Sequence, residues 1–499
     1  MSTVIADAAA SIEPRRGQRY RLVLGSLVIT GTLLRLGQLT HFLTGNHAFR
    51  QTQTAYVAWE YARKGIDLMQ TPLPIFGPNA SVPMEFPLVQ AAAALLIRAG
   101  ASPDFAMRTL GLFGFQATAV LLIIIVRRWH GDLTALIAAL LFELSPFGLA
   151  WGATGLIDFP SVALALGMVL GLDTWFACGS YKGLLFGLIG AWLAFLVKAT
   201  TAPSWCLLAI TSALVAIKLS RPLVRISVGL ISGPVVGLVL AAAWTHYADG
   251  VKRQNPLTEF LASTDKKMIS WNFGTTQQRL DWNTYTTISD RVWSEIAGPA
   301  ILVFALVVSG IYFAPSVTQR ILRSGWPAVA ISAPLIFLNL YYVHDYYLIG
   351  IFPAVLASMA VGIGAVFRRF SVRFVLTATV LFCAGMLWSS SYSGYLAQWR
   401  KGLPPDATGL ALNGATRPND LIVTVGCDWN PELLYFADRK GLMIAKRNFS
   451  DRVWKIHHIG DYSYVYRCNP NVEIEKYLPP RYTAAPTSTM DLYLILLPS

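Results

Sequence analysis

The chain has 499 residues, 54% of them hydrophobic and 13% charged, with a mean hydropathy of +0.49 and a formal net charge of +13. Soluble domains carry about 25% charged residues, so this composition excludes a soluble globular protein. The positive balance does not point to nucleic acid, because Lys and Arg gather in short gaps between apolar runs, as they do in cytoplasmic loops of membrane proteins.

Those apolar runs are about 20 residues long, enough to cross roughly 30 Å of hydrocarbon. They are continuous rather than alternating, which excludes a transmembrane barrel. The expected fold is an all-α polytopic membrane protein of about eleven transmembrane helices, with a small α/β domain at its C-terminus.

In chain order, residues 1–19 read as a disordered cytoplasmic tail. The apolar run 22–42 is too long for a signal-peptide core and lacks a small-residue cleavage site, so it reads as a retained signal anchor. A polar outer loop, 44–106, follows. It opens on Asn46-His47-Ala48-Phe49-Arg50-Gln51 and runs on as an amphipathic helix over 50–65. It returns to the membrane at Met84-Glu85-Phe86-Pro87. The apolar stretch 86–97 would reach only about 18 Å as a helix, so it reads as interfacial or re-entrant.

Further spans are expected near 107–126, 133–149, 159–177, 183–197, 203–217, 226–245, 297–314, 326–343, 347–366 and 374–390. Basic gaps at Arg15–Arg21, Arg127-Arg128, Lys182, Lys218–Arg225, Arg320–Arg323 and Arg368–Arg373 mark the cytoplasmic side. Asp158, Lys198, His344 and the C-terminus then fall on the outer, periplasmic side. A second outer loop, 247–295, carries Trp271, Phe273, Trp282, Tyr285 and Trp293, either anchoring helices at the headgroups or stacking on a sugar.

Residues 401–499 turn soluble in character and read as an extracytoplasmic α/β domain. Strands are expected at 420–426, 442–445 and 491–497. Between the first two, Asn430 would cap a helix with Pro431 at its first position, ending at Lys440-Gly441. Cys427 and Cys468 both lie in this region, where a disulfide is plausible outside the cytoplasm. Cys178, Cys206 and Cys383 read as packing residues. There is no phosphate-cradling glycine loop, paired-cysteine motif or HExxH motif, so soluble nucleotide chemistry has no support.

Charges at span ends are expensive and mark function by default. Asp158 opens a span after an almost chargeless turn, either as a catalytic carboxylate or as a helix cap. Glu85, at the loop's return, is a candidate general base. His47 and Arg50, three apart, would share a helix face, with Arg50 a candidate phosphate ligand. Lys198 ends a span as a phosphate ligand or a snorkelling lysine. His344, Asp345, Tyr346 and Tyr347 crowd one outer span end. Arg35, inside the first span, pairs with Glu143 or snorkels. Together these residues suit an anionic, lipid-linked substrate. A divalent cation shared by Glu85 and Asp158 is conceivable, though no ligand spacing argues for one.

The order of elements resembles the GT-C membrane glycosyltransferases, closest to the family 39 branch of protein O-mannosyltransferases and lipid A aminoarabinose transferases. The resemblance spans about 20–400. It rests on the first-loop helix, Phe86-Pro87-Leu88, Ala106-Met107-Arg108, Arg127-Arg128-Trp129-His130-Gly131, Leu156-Ile157-Asp158, and Tyr346-Tyr347-Leu348 with Pro353. It implies sugar transfer from a polyprenyl-phosphate donor to a glycan, lipid or protein acceptor at the outer face, with inversion. A first-loop carboxylate would activate the acceptor, and cations would stabilise the leaving phosphate.

That family carries an Asp-Glu pair where this chain has Arg50-Gln51. The resemblance therefore leaves the base to Glu85, Asp158 or His47, with Glu85 preferred. Donor phosphate would fall to Arg50, Lys198, His344, Tyr346 and Tyr347. A flippase of lipid-linked sugars would instead show intramembrane charges and broken helices in symmetric halves, and neither stands out in the sequence. The missing acid pair keeps open a third reading, a catalytically inactive binding or assembly subunit.

Overall fold

The computed structural model describes residues 20–45, 47–368, 370–397, 401–445 and 450–496. The expected tail 1–19, Asn46 and Arg369 lie outside that set. Among the described residues, five helices are long and apolar enough to cross a membrane: Tyr20–Thr40, Pro103–His130, Asp158–Cys178, Leu223–Lys252 and Val372–Ser391. Four shorter apolar helices accompany them, Leu88–Arg98, Tyr181–Val197, Ala202–Lys218 and Phe352–Val366. The chain is an integral membrane protein of mainly helical build, with a small C-terminal sheet domain.

Several expected spans are broken where proline removes an amide donor. The run 133–149 divides into Asp132–Leu144 and Pro146–Trp151, with Ser145 capping the second piece by accepting from the Gly148 amide. The run 326–343 starts earlier, as Val317–Ile336 with Pro327 and Pro334 inside it, and resumes as Leu338–Val343. Leu223–Lys252 carries a π-turn at Ile231–Val235 around Pro234. Residues Trp282–Ala297 meet Ala300–Tyr312 at an 81° bend.

Elsewhere the helices close tightly. Gly171 faces the backbone of Gly187, and a β-carbon on Gly171 would lie 2.3 Å from the Gly187 amide. Both belong to small-xxx-small pairs, Gly167/Gly171 and Gly183/Gly187, the pattern that lets membrane helices touch along their backbones. Arg35 does pair with Glu143, at 3.3 Å, both fully buried. Its guanidinium also donates to the carbonyls of Gly31, Gly148 and Glu143 and lies 4.0 Å over the Phe115 ring.

The C-terminal domain is a five-stranded sheet in the order β2-β1-β3-β5-β4. The strands are β1 Ile422–Val425, β2 Gly441–Ile444, β3 Tyr464–Arg467, β4 Thr483–Pro486 and β5 Leu492–Leu496. Strands β2, β1 and β3 run parallel, whereas β5 is antiparallel to β3 and β4. β1, β2 and β5 match expectation, while β3 and β4 were not anticipated. The helix between β1 and β2 is Glu432–Ala437, with Pro431 one position earlier than expected and Asn430 Oδ1 accepting from the Glu432 amide. It stops at Asp438, in a left-handed turn, before Lys440-Gly441 is reached. Cys427 and Cys468 form a disulfide across the ends of β1 and β3, with Cα atoms 5.2 Å apart.

This domain is fastened to the first loop. Gly441 and Met443 of β2 donate to the Pro74 and Ile75 carbonyls, and Gly77 donates to Gly441, so the loop extends the sheet edge. Lys440 pairs with Glu60 and Arg63 with Asp438. Leu73, Ile75 and Phe76 share one apolar core with Val423, Leu442 and Val465. The loop helix Ala48–Lys64 and the C-terminal domain therefore lie on one face of the molecule, over the ends of Asp158–Cys178 and Tyr181–Val197.

Candidate active site

The loop helix is set by two contacts with the turn before Asp158. Gln51 Oε1 accepts from the Gly155 amide at 2.9 Å, and Thr54 Oγ1 donates to the Gly155 carbonyl at 3.0 Å. These anchor Arg50 beside the loop's return, where Phe86 donates to the Leu196 carbonyl and Trp244 Nε1 to the Met84 carbonyl. The result is an ion pair between Arg50 Nη2 and Glu85, the two ends of the loop meeting. Arg50 Nη1 also donates to Gln53 Oε1 at 2.6 Å. Burial opposes the Arg50 charge, but Glu85, Tyr346, Tyr347 and Asp158 outweigh it and raise its pKa.

His47 and Arg50 do not share a helix face, contrary to expectation. The helix starts at Ala48, and His47 precedes it with left-handed backbone angles, φ 54° and ψ 38°. That conformation swings the imidazole off the helix and onto Asp345, with Nε2 2.5 Å from Oδ1. Burial works against the Asp345 carboxylate, yet the bond to His47 holds it below the usual carboxylate range.

Asp158 is the first helical residue rather than a cap; the cap position belongs to Ile157. Its Oδ1 lies 2.5 Å from Lys198 Nζ, with each side chain 2% exposed. Lys198 therefore does not snorkel. Its ammonium sits 5.1 Å and 4.6 Å from the ring centroids of Tyr346 and Tyr347, the geometry of cation–π contact. Those two rings stack at 4.6 Å. The His344 ring lies 5.4 Å from Tyr346 and 5.1 Å from His47, and Trp271 of the second outer loop comes within 5.7 Å of it.

The eight residues singled out from sequence thus converge: His47, Arg50, Glu85, Asp158, Lys198, His344, Tyr346 and Tyr347. Asp345 belongs with them, quoted in the sequence but without a role there. Glu295 and Tyr395 were missed; Tyr395 donates to Glu295 Oε2 at 3.4 Å and accepts from Trp151 Nε1. Nothing in their sequence context marked them, since one sits at a helix bend and the other beyond the last span. Among the described residues no group of three His, Cys, Asp or Glu side chains converges as a metal site. Glu85 and Asp158 each face a cation, an arrangement that does not fit a metal shared between them.

His344 lies in the turn between Leu338–Val343 and Asp345–Gly350. Burial and the neighbouring His47 push its pKa down to about 4, below the roughly 6.5 of a free imidazole. Between those values the unfolded chain binds a proton that the folded chain refuses, so stability rises with pH through this window and is complete above it. Allowing for partial exposure, the expected loss on going from pH 7 to pH 4 is about 1–2 kcal/mol. Melting curves of wild type and His344→Gln across that range test this; equal pH slopes would remove His344 as the cause.

No protein-family model and no curated protein sequence matches the chain. Solved structures do. The chain is similar to ArnT from Cupriavidus metallidurans bound to undecaprenyl phosphate, with a TM-score of 0.64 at 12% identity over 95% of this chain and 97% of that one. The apo form of the same protein gives 0.63 at 12% identity over 96% and 98%. The archaeal oligosaccharyltransferase AglB from Archaeoglobus fulgidus, in complex with an inhibitory peptide and a dolichol-phosphate, gives 0.53 at 12% identity over 91% of this chain and 69% of that one. At such identity the likeness is one of architecture, and it places the chain among proteins of the GT-C fold.

Proposed function

We propose that the chain is a membrane glycosyltransferase that moves a sugar from a polyprenyl-phosphate donor to an acceptor at the outer face, with inversion. The observation that carries this reading is the convergence of Arg50, Lys198, Glu85 and Asp158 on the stacked Tyr346 and Tyr347. That convergence sits in a fold shared end to end with a protein crystallised with undecaprenyl phosphate. The regular alternation of basic gaps supports the outer face.

In-line attack by an acceptor hydroxyl breaks the bond between the anomeric carbon and the donor phosphate. Charge then grows on the departing phosphate oxygen, and fixed cations in a water-poor site stabilise it. Arg50 is kept charged by Glu85 and Lys198 is held by Asp158, so both cations are in position before the donor arrives. Glu85 serves Arg50 in this reading, rather than the acceptor.

The broken helices and the Arg35–Glu143 pair favour a second reading, a flippase of lipid-linked sugars. Purified protein in liposomes, given isotopically labelled polyprenyl-phosphate sugars and a membrane glycolipid extract, separates the two. Label appearing on acceptor in the mass spectrum is the expected result. Label crossing the bilayer without transfer would replace glycosyl transfer by translocation, and retention of donor alone would leave a binding subunit.

A further inference from the structure

We propose that His47 and Asp345 form a general-base dyad that takes the proton of the acceptor hydroxyl. The proposal rests on the glycosyl-transfer reading and fills the vacancy left by Arg50-Gln51. A base needs a free acceptor atom within reach of substrate, and the carboxylates do not offer one on equal terms. Glu85 and Asp158 each keep one oxygen outside their ion pairs, but each is paired with a cation, and Asp158 is only 2% exposed.

His47 differs in three respects. Its Nε2 is committed to Asp345 at 2.5 Å, while among the described residues no hydrogen bond engages Nδ1. Its side chain is 18% exposed, against 2% for Asp158, and it is not tied to a cation as the 21% exposed Glu85 is. Its ring is held by Trp151, His344 and Tyr346, with centroids 6.0, 5.1 and 4.7 Å away. An imidazole with one nitrogen on a carboxylate and the other free is the arrangement that general bases use to fix tautomer and aim.

The placement also suits the reaction. The Tyr346 ring touches the imidazole on one side, and Lys198 Nζ stands 5.1 Å from its centroid. Imidazole and ammonium therefore both lie against one ring. The left-handed backbone of His47 is uncommon for a residue with a β-carbon, and such conformations gather at functional sites.

The step balances. Nδ1 accepts the acceptor's proton as the acceptor oxygen bonds to the anomeric carbon. The carbon–oxygen bond to the donor breaks, and its electron pair leaves on the phosphate. The resulting imidazolium is stabilised by Asp345. The other charged or titratable groups around the dyad are His344, Tyr346, Lys198 and Arg291, with Glu295 acting on Asp345.

Glycine suits the left-handed backbone, so His47→Gly removes the imidazole without straining the chain and leaves a hole. In reconstituted full-length protein, His47→Gly is expected to lower the turnover of labelled donor by about 10²–10⁴-fold, with donor KM within a few-fold. Added imidazole is expected to restore at least tenfold. Asp345→Asn is expected to lower turnover at least tenfold, whereas Glu85→Gln should not respond to imidazole. Wild-type turnover in His47→Gly, or a folded His47→Gly that imidazole does not rescue, overturns the dyad. If His47→Gly does not fold, near-normal turnover in His47→Gln overturns it instead. Absence of transfer by the wild type removes the glycosyl-transfer reading and the dyad with it; transfer by wild type and variant alike removes the dyad alone.

Discussion

Replacing Lys198 by methionine is expected to lower stability by about 3–5 kcal/mol and sugar transfer by about 10²–10³-fold. The two effects have separable causes. Asp158 and Lys198 are each 2% exposed and 2.5 Å apart, and among the described residues Asp158 Oδ2 has no hydrogen-bond partner. Removing the ammonium leaves a buried carboxylate without its cation. Removing both charges with Asp158→Leu and Lys198→Met should recover most of the stability, because a packed apolar pair often does as well as a buried ion pair. The double variant should still fail in transfer, since the cation over Tyr346 and Tyr347 is gone. Melting in detergent and turnover, measured on both variants, decide it. Wild-type melting of Lys198→Met would refute the buried-charge account, and recovered turnover in the double variant would show that the pair is structural.

How much of this was legible in the sequence depends on the range of the interaction. Spans announced themselves through long apolar runs, yet their breaks at Ser145-Pro146 and Phe337 did not, because hydropathy averages over a single missing amide. β4 escaped because Pro486 sits at its end and it occupies a sheet edge, where proline is tolerated. β3 escaped despite Gly460-Asp461 before it, because Tyr464–Arg467 is too short, at four residues, to show a period.

Within the site, conspicuous charges near apolar runs revealed each participant singly, while their partners lay 35, 40 and 298 residues away. For Arg35 the sequence named Glu143 as a partner but left snorkelling equally open, and the structure shows the pair. His47 was misplaced for a local reason. A helix beginning at Asn46 would have put it over Arg50, and histidine's enrichment in left-handed angles is too weak to place such a turn from sequence.

The pairing of Arg50 with Glu85 yields the second large effect, and it tests the role that sequence favoured for Glu85. Arg50→Ala is expected to lower kcat/KM for the donor by about 10²-fold, the scale of losing one charge-stabilising group. Glu85→Gln is expected to cost less than about tenfold, because the neutral amide can still accept from Arg50. The double variant should be no worse than Arg50→Ala alone, since two residues acting as one unit are not additive. A general base would behave otherwise. Glu85→Gln would then lose about 10²–10⁴-fold in kcat, and the double variant would fall further still. The two side chains are 9% and 21% exposed, so Arg50→Ala leaves Glu85 with access to water. It should therefore melt closer to wild type than Lys198→Met. Kinetics of the three variants at saturating and limiting donor separate the roles, and a Glu85→Gln loss confined to kcat would return the base to Glu85.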